Sequence, residues 1–181
     1  MTLRTRNSAA YKGVYALLMR GGGMDWMENQ PLTMATFFDY KVDIHHVFPK
    51  AWCKATGTDE LRRESIVNKT ALSRSTNIRI GGRAPSSYLA KVQADAGVDA
   101  ESLDAVVRTH AIEPATLRAD DFDAFFAARA AALLEVIETA MGKPVVRTGE
   151  ATGEQADAPE DFAIEDEEPE VDITDETGNA A

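Results

Sequence analysis

Several stretches of the chain place apolar residues three or four positions apart, which is the spacing of an amphipathic helix. One of them predicts a helix over residues 9–19 that begins after Asn7 or Ser8 and ends at the glycines of residues 21–23. Its apolar face consists of Tyr11, Val14, Tyr15 and Leu18. Comparable patterns predict three further helices. One starts at Pro85, the second covers residues 101–109 and the third covers residues 121–141.

Two short stretches between these helices have the composition of β-strands. The first contains the pair His45-His46, where Val42 and Ile44 favour an extended backbone. The second covers residues 66–72. The sequence therefore predicts an α+β protein that is mainly helical and has a small hairpin near its centre.

The residues with the most informative chemistry lie at this hairpin. Hydrolysis of a phosphodiester needs a base that takes a proton from water and a cation that neutralises charge on the phosphate. His46 suits the base, since histidine titrates near neutrality. Adjacent residues of a strand face opposite sides, so His45 can bind the ion while His46 faces the water. Asp43 lies on the same side of the strand as His45, where it can bind the ion or hold the imidazole of His45. Such donors suit Mg²⁺ or Mn²⁺.

Three segments resemble the HNH, or ββα-metal, nucleases, and in particular the carboxy-terminal nuclease region of GmrSD-type modification-dependent restriction endonucleases. They are DIHHVFPKAWC at residues 43–53, NKTALS at residues 68–73 and TNIRIGGRAPS at residues 76–86. The spacing within residues 65–77 is also similar to that of the HNH domain of CRISPR effector nucleases. The likeness extends from about residue 3 to residue 143, and it implies a central ββα-metal element.

The resemblance also implies a role for each motif residue. His46 matches the general base, and His45 and Asn77 match metal ligands. Asn68 matches the asparagine that holds the loop between the strands through backbone hydrogen bonds, although taken singly it could be a turn residue. Many relatives carry an acidic ligand where this chain has His45, whereas colicin-type nucleases carry histidine. The choice between Mg²⁺ and Mn²⁺ therefore stays open.

The charge of the chain favours a polyanionic substrate once it is divided by segment. The net charge is -11, but thirteen of the thirty acidic residues lie from Glu150 onward, where there is no Lys or Arg. The rest of the chain has a net charge of +2. The segment from Lys50 to Lys91 contains nine basic and only three acidic residues, as expected for contact with a phosphate backbone. The predicted phosphate-binding residues are Lys69, Arg74, Arg79 and Arg83.

The domain organisation follows from this division. Residues 1–147 are predicted to form the nuclease domain with its flanking helices, and residues 148–181 to form an acidic, disordered tail. The tail either keeps the protein in solution or folds back on the basic surface as a DNA mimic. The single cysteine, Cys53, excludes an internal disulfide and is consistent with a cytoplasmic location, and no apolar run is long enough to span a membrane.

The sequence thus predicts a metal-dependent endonuclease that hydrolyses DNA, as part of a restriction or phage-defence system. Full-length relatives carry a large amino-terminal nucleotide-hydrolysing domain, which the residues before Asp43 are too few to hold. We therefore expect a separate nucleotide-hydrolysing subunit as a partner. Two alternatives remain, namely an RNA substrate and a non-catalytic remnant that binds nucleic acid or another restriction protein.

Overall fold

The computed structural model describes residues 9–145, and residues 1–8 and 146–181 lie outside the described part. The described chain combines helices with one small antiparallel sheet, so the predicted α+β class is confirmed. The helices are α1 (Ala9–Arg20), α2 (Met34–Asp39), α3 (Lys50–Ala55), α4 (Glu60–Arg63), α5 (Arg74–Ile80), α6 (Pro85–Ala96), α7 (Ala100–Arg108), α8 (Pro114–Arg118) and α9 (Phe122–Met141). The strands are β1 (Asp43–His46) and β2 (Lys69–Leu72), and a 3-10 turn, Ile66–Asn68, precedes β2.

The two strands form an antiparallel pair, called here the histidine hairpin, at the junction of two apolar clusters, and α3, α4 and the 3-10 turn lie between them in the chain. β1 and β2 pair antiparallel, with Ile44 opposite Ala71 and His46 opposite Lys69. Ile44 and Ala71 pack in a cluster that includes side chains of α1 and α9. Leu72, whose side chain points to the other face, belongs to the second cluster. The hairpin therefore has apolar contacts on both faces.

The loop that follows β1 is anchored in the second cluster. Phe48 is fully buried, and its ring centroid lies 4.9 Å from that of Phe125 and 5.2 Å from that of Phe122, both on α9. The hydroxyl of Tyr88 on α6 donates to the carbonyl oxygen of Val47 at 2.9 Å. These contacts fix the backbone immediately after His46, so the end of β1 has one position relative to the helices.

The second strand is shorter than the sequence predicts. Residues 66–68, which were expected to start the strand, form the 3-10 turn instead. The Ser65 hydroxyl accepts a hydrogen bond from the Val67 N–H at 3.2 Å and so caps this turn. Ile66 and Val67 are buried within the turn, which explains why their apolar character resembles that of a strand.

The longer helices follow the predicted pattern closely. α1 covers the predicted residues 9–19, and α6 begins with Pro85 at its first position. α9 begins after Asp121, whose side chain accepts from the Ala124 N–H, and it ends at Gly142 with a φ of 65°. α7 lies one residue earlier than predicted at each end, because Asp99 caps it.

Several other predictions fall outside the described residues. They concern the cap at Asn7 or Ser8, the domain boundary at residue 147 and the acidic tail. Within residues 9–145, none of the helices combines the length and the apolar character that a membrane crossing requires.

His110 is a structural histidine, in line with its isolated position in the sequence. It is 2% exposed, its Nε2 lies 2.6 Å from the carbonyl oxygen of Met24, and its Nδ1 lies 2.7 Å from the hydroxyl of Thr70 in β2. A carbonyl oxygen can only accept, so Nε2 carries the proton and the neutral ring accepts from Thr70. Burial lowers the pKa of His110 to about 4.

We expect this histidine to make the fold acid-sensitive. The pKa of an exposed histidine is about 6.5, so between that pH and a pH of about 4 the unfolded chain binds a proton at His110 that the folded chain does not bind. The free energy of unfolding should therefore be highest above pH ~6.5 and fall as the pH is lowered through that window, by on the order of 3 kcal/mol at most. Urea unfolding at several pH values measures this loss.

The variant His110→Gln provides the control, since glutamine cannot titrate. The other two histidines remain in this variant, so it isolates the contribution of His110. Its free energy of unfolding should be lower than that of the wild type at neutral pH but change less with acidification. If the free energy of unfolding changed equally with pH in the two proteins between about pH 6.5 and pH 4, His110 would not be the source of the acid sensitivity.

Candidate active site at the histidine hairpin

Asn68 holds together the two ends of the segment that connects the strands. The side chain is fully buried; its Oδ1 accepts from the Phe48 N–H at 2.8 Å, and its Nδ2 donates to the carbonyl oxygens of Phe48 and Arg63, each at 3.0 Å. The backbone adds a bond from the Val47 N–H to the Asn68 carbonyl oxygen at 2.8 Å. A single carboxamide therefore bonds to three backbone groups, of which the Phe48 carbonyl oxygen also accepts from the Cys53 thiol at 3.4 Å.

A buried arginine on α9 binds the backbone on either side of Asn68. Arg129 of α9 is 1% exposed, and its Nη1 donates to the carbonyl oxygens of Val67 and Lys69, both at 2.8 Å. Its Nε donates to the carbonyl oxygen of His110 at 3.3 Å. Burial lowers the pKa of Arg129 to about 10, so the side chain is still charged at neutral pH. The residues on both sides of Asn68 are therefore bound to α9.

His46 makes a side-chain contact that the sequence did not indicate. Its Nε2 lies 3.0 Å from Oε2 of Glu64, the residue that follows α4. The His46 side chain is 12% exposed and that of Glu64 is 25% exposed. The hydrogen bond with His46 is the largest influence on the Glu64 carboxyl, and together with Arg63 it outweighs burial and holds the pKa of Glu64 well below its usual range.

Two cations complete what we call the Glu64 cluster, which consists of Glu64, His46, Arg63 and Lys69. Lys69 lies opposite His46 in the hairpin, and its Nζ is 3.2 Å from Oε2 of Glu64. Arg63 Nε is 2.9 Å from the other oxygen, Oε1. Both oxygens of the carboxylate therefore have cationic partners, and one of them also contacts the imidazole.

The helix that carries Asn77 starts directly after the hairpin. β2 ends at Leu72, Ser73 caps α5 by accepting from the Thr76 N–H, and Asn77 lies in the middle of this helix. The fully buried carboxylate of Asp25 accepts from the Ser73 N–H at 2.7 Å and from the Thr76 hydroxyl at 2.6 Å. Burial opposes its ionisation, but these hydrogen bonds outweigh burial and lower the pKa of Asp25. Asp25 therefore ties the start of α5 to an earlier loop.

The predicted metal ligands lie on β1 and α5. Asp43 is exposed, and its Oδ1 accepts from the Ile44 N–H at 2.7 Å. His45 is half-buried, lies opposite Thr70, and shares its side of the strand with Asp43. Asn77 is half-buried on α5. Over residues 9–145, no three side chains of the His, Cys, Asp and Glu types converge as a metal-binding group, and the predicted set relies on an asparagine in the third place.

The predicted phosphate-binding residues differ in their surroundings. Arg74, Arg79 and Arg83 are exposed on or just after α5, and Arg79 pairs with Asp95 at 3.3 Å. Lys69 is 7% exposed within the Glu64 cluster. At least five of the nine basic side chains between Lys50 and Lys91 form ion pairs, namely Arg62, Arg63, Lys69, Arg79 and Lys91. The positive charge open to a ligand is therefore smaller than the sequence count.

Sequence reasoning missed Glu64, Arg129 and Asp25 as parts of this site. Glu64 entered it only as one of three acidic residues in a basic segment, and that scarcity was the available signal. Arg129 interrupts the apolar face of a long helix, where a charged residue normally has a buried role. Asp25 gives no comparable signal, because its partners lie about fifty residues further along the chain.

Comparison with known proteins yields one distant relative. The chain is 30% identical over 87 residues to an uncharacterized protein of Methanocaldococcus jannaschii, and the match covers 48% of this chain and 14% of that protein. The chain therefore spans a small part of the length of the curated relative that it matches. No family model matches the chain, and no solved structure matches it significantly.

Proposed function

We propose that the protein is a metal-dependent endonuclease of the HNH class that hydrolyses DNA phosphodiester bonds. The observation that carries this proposal is the position of the buried Asn68, whose side chain holds both ends of the loop that follows His46. That is the role which the resemblance assigns to the middle asparagine. A residue needed only for a turn would not have to be buried with three backbone partners.

The order of the elements supports the same proposal. β1 ends on His45-His46, β2 pairs with it, and α5 follows after one capping residue and carries Asn77. Two paired antiparallel strands and a helix that directly follows the second strand are the elements that a ββα-metal site requires, and here α3, α4 and the 3-10 turn lie between the two strands. The connection allows little freedom, since α5 is capped by Ser73 and held by Asp25.

Each residue then has a chemical role. His46 takes a proton from the attacking water, and the hydrogen bonds of Asn68 keep the end of β1 in place. His45, Asn77 and Asp43 offer an imidazole nitrogen and two kinds of oxygen, a donor set that suits Mg²⁺ or Mn²⁺. A bound ion would supply neutralisation of charge on the phosphate and the leaving oxygen. The exposed Arg74, Arg79 and Arg83 bind phosphates. Lys69, the fourth predicted phosphate-binding residue, is 7% exposed and pairs with Glu64.

A restriction or phage-defence role, with DNA and a separate nucleotide-hydrolysing subunit as partners, is the setting that the resemblance to GmrSD-type proteins suggests. The competing function is a non-catalytic module that binds nucleic acid or a restriction partner. One observation favours this alternative, because His46 is mostly buried and engaged with Glu64. In that case His46 would be a structural member of the ion-pair cluster.

A nicking assay separates the two functions. Purified protein should convert supercoiled plasmid into nicked and linear forms with Mg²⁺ or Mn²⁺, and EDTA should abolish this conversion, since the cation neutralises charge in the transition state. Gel analysis of the products measures the reaction. Single-stranded RNA, incubated under the same conditions as the plasmid, tests RNA as the alternative substrate.

Each outcome of this assay decides something. Cleavage that persists in EDTA would contradict metal dependence. Binding of DNA without cleavage in any of the metals would support the non-catalytic module. Cleavage of RNA in preference to DNA would move the proposal to a ribonuclease.

A further inference from the structure

We propose that Glu64 positions His46 for proton transfer, by accepting a hydrogen bond from Nε2–H that fixes the orientation of the ring and keeps its hydrogen on Nε2. This inference rests on the proposed nuclease function and deepens it. It assigns a role to a residue that has no place among the metal ligands, the base or the phosphate-binding residues named above.

The carboxylate of Glu64 is held in place independently of His46. Glu64 caps the end of α4, where its N–H bonds to the carbonyl oxygen of Glu60 at 2.9 Å. Arg63 Nε contacts Oε1 at 2.9 Å, and Lys69 Nζ contacts Oε2 at 3.2 Å. A carboxylate fixed on both oxygens can in turn fix the orientation of an imidazole ring that bonds to it.

The chemistry of the contact selects a tautomer. An ionised carboxylate has no proton to donate, so the 3.0 Å contact requires that Nε2 of His46 carries the hydrogen. The same logic assigns the carboxylate of a Ser-His-Asp triad its orienting role. Glu64 is therefore a positioning residue, which acts on the substrate only through His46.

The charges around Glu64 keep it available for this role. The charged or titratable groups in contact with its carboxylate are Arg63 from α4, Lys69 from β2 and His46 from β1. Glu60 bonds to Nη2 of Arg63 at 3.0 Å, and its side chain is 73% exposed. Two cations within 3.2 Å favour the ionised form of Glu64, the form that accepts the imidazole hydrogen.

A purely structural ion-pair cluster is the competing explanation. In that case the loss of Glu64 would lower stability, while the hydrogen on the imidazole and the rate constant of the chemical step would stay as they are. The positioning role predicts changes in both, so these two measurements discriminate.

The test uses Glu64→Gln and Glu64→Ala, with Glu60→Ala as the matched control. Glu60→Ala removes a carboxylate from the same arginine and leaves the contact with His46 intact. Glu64→Gln retains an oxygen that can accept from Nε2–H, so it serves as the conservative variant if Glu64→Ala unfolds. Each protein is first checked by circular dichroism for its helical content.

The first readout is the ¹⁵N NMR spectrum of the His46 ring at mildly alkaline pH, where an unperturbed imidazole is neutral. The wild type and Glu60→Ala should show a single tautomer with a slowly exchanging Nε2–H. Glu64→Ala should show a mixture of tautomers with rapid exchange, and Glu64→Gln should retain the Nε2–H form. A spectrum of Glu64→Ala identical to that of the wild type would overturn the inference, whether or not the protein cleaves DNA.

The second readout is plasmid cleavage. Glu64→Ala should lower kcat by about 10-fold to 100-fold with KM nearly unchanged, the range typical for a partner that orients a reactive group, and Glu64→Gln should recover part of the loss. Glu60→Ala should cleave like the wild type. Equal kcat for Glu64→Ala and the wild type would refute the positioning role. Absence of cleavage by the wild type would refute the proposed function, and the NMR result would still decide how Glu64 acts on His46.

Discussion

Replacement of His46 by alanine should lower DNA cleavage by about 10²-fold or more, the effect expected for loss of a general base. The fold should survive, because the backbone after His46 is held by Asn68 and by the burial of Phe48 and does not depend on the imidazole. DNA affinity should change little, since His46 is not among the phosphate-binding residues. Nicking rates and a binding titration on the same preparation measure both effects.

Chemical rescue makes this prediction sharper. Imidazole added to His46→Ala should restore part of the rate if the lost group is a base, because the small molecule can occupy the space that the ring has left. A variant that had lost only its structure would not respond. If His46→Ala cleaved DNA at the wild-type rate, His46 would have no part in the mechanism.

Replacement of Asn68 by alanine should cause the largest loss of stability among the motif residues. It removes the side-chain partner of the Phe48 N–H and of the Arg63 carbonyl oxygen, and it leaves the Phe48 carbonyl oxygen with only the weak bond from the Cys53 thiol. An unsatisfied buried polar group costs about 1–3 kcal/mol, so we expect the free energy of unfolding to fall by about 3 kcal/mol or more. Urea unfolding followed by circular dichroism measures it.

Asn77→Ala is the matched control for this prediction. Asn77 is half-buried in the middle of α5, where alanine is a good helix former, so its free energy of unfolding should change by less than about 1 kcal/mol. Its cleavage should nevertheless fall, because it is a proposed metal ligand. Opposite behaviour of the two variants, with Asn77 carrying the stability, would mean that the roles of the two asparagines have been exchanged.

The long helices were predictable because each carries its own local signals. α1, α6 and α9 have apolar residues at helical spacing together with residues that start or stop a helix, such as Pro85, Asp121 and Gly142. The short helices α2, α3, α4 and α8 were not predicted. Four to six residues are too few for a periodic pattern, so packing decides whether such a segment forms a helix.

The site was predictable in its motif residues and not in their surroundings. The pair His45-His46 and the two asparagines stand out by residue type and spacing alone. The partners of these residues come from distant parts of the chain, as with Arg129 on α9, which binds the carbonyl oxygens on either side of Asn68. Residue types along a chain hold no information about which of many charged side chains will meet in space.

The sequence by itself determined the α+β class, the long helices and the order of His45, His46, Asn68 and Asn77, because spacing and residue type are local properties. The tertiary structure alone decided that Asn68 is buried with three backbone partners and that Glu64 meets His46. Both depend on how the chain between β1 and β2 closes on itself. That closure is set by the burial of apolar side chains such as Phe48 and by hydrogen bonds to buried backbone groups such as those of Asn68.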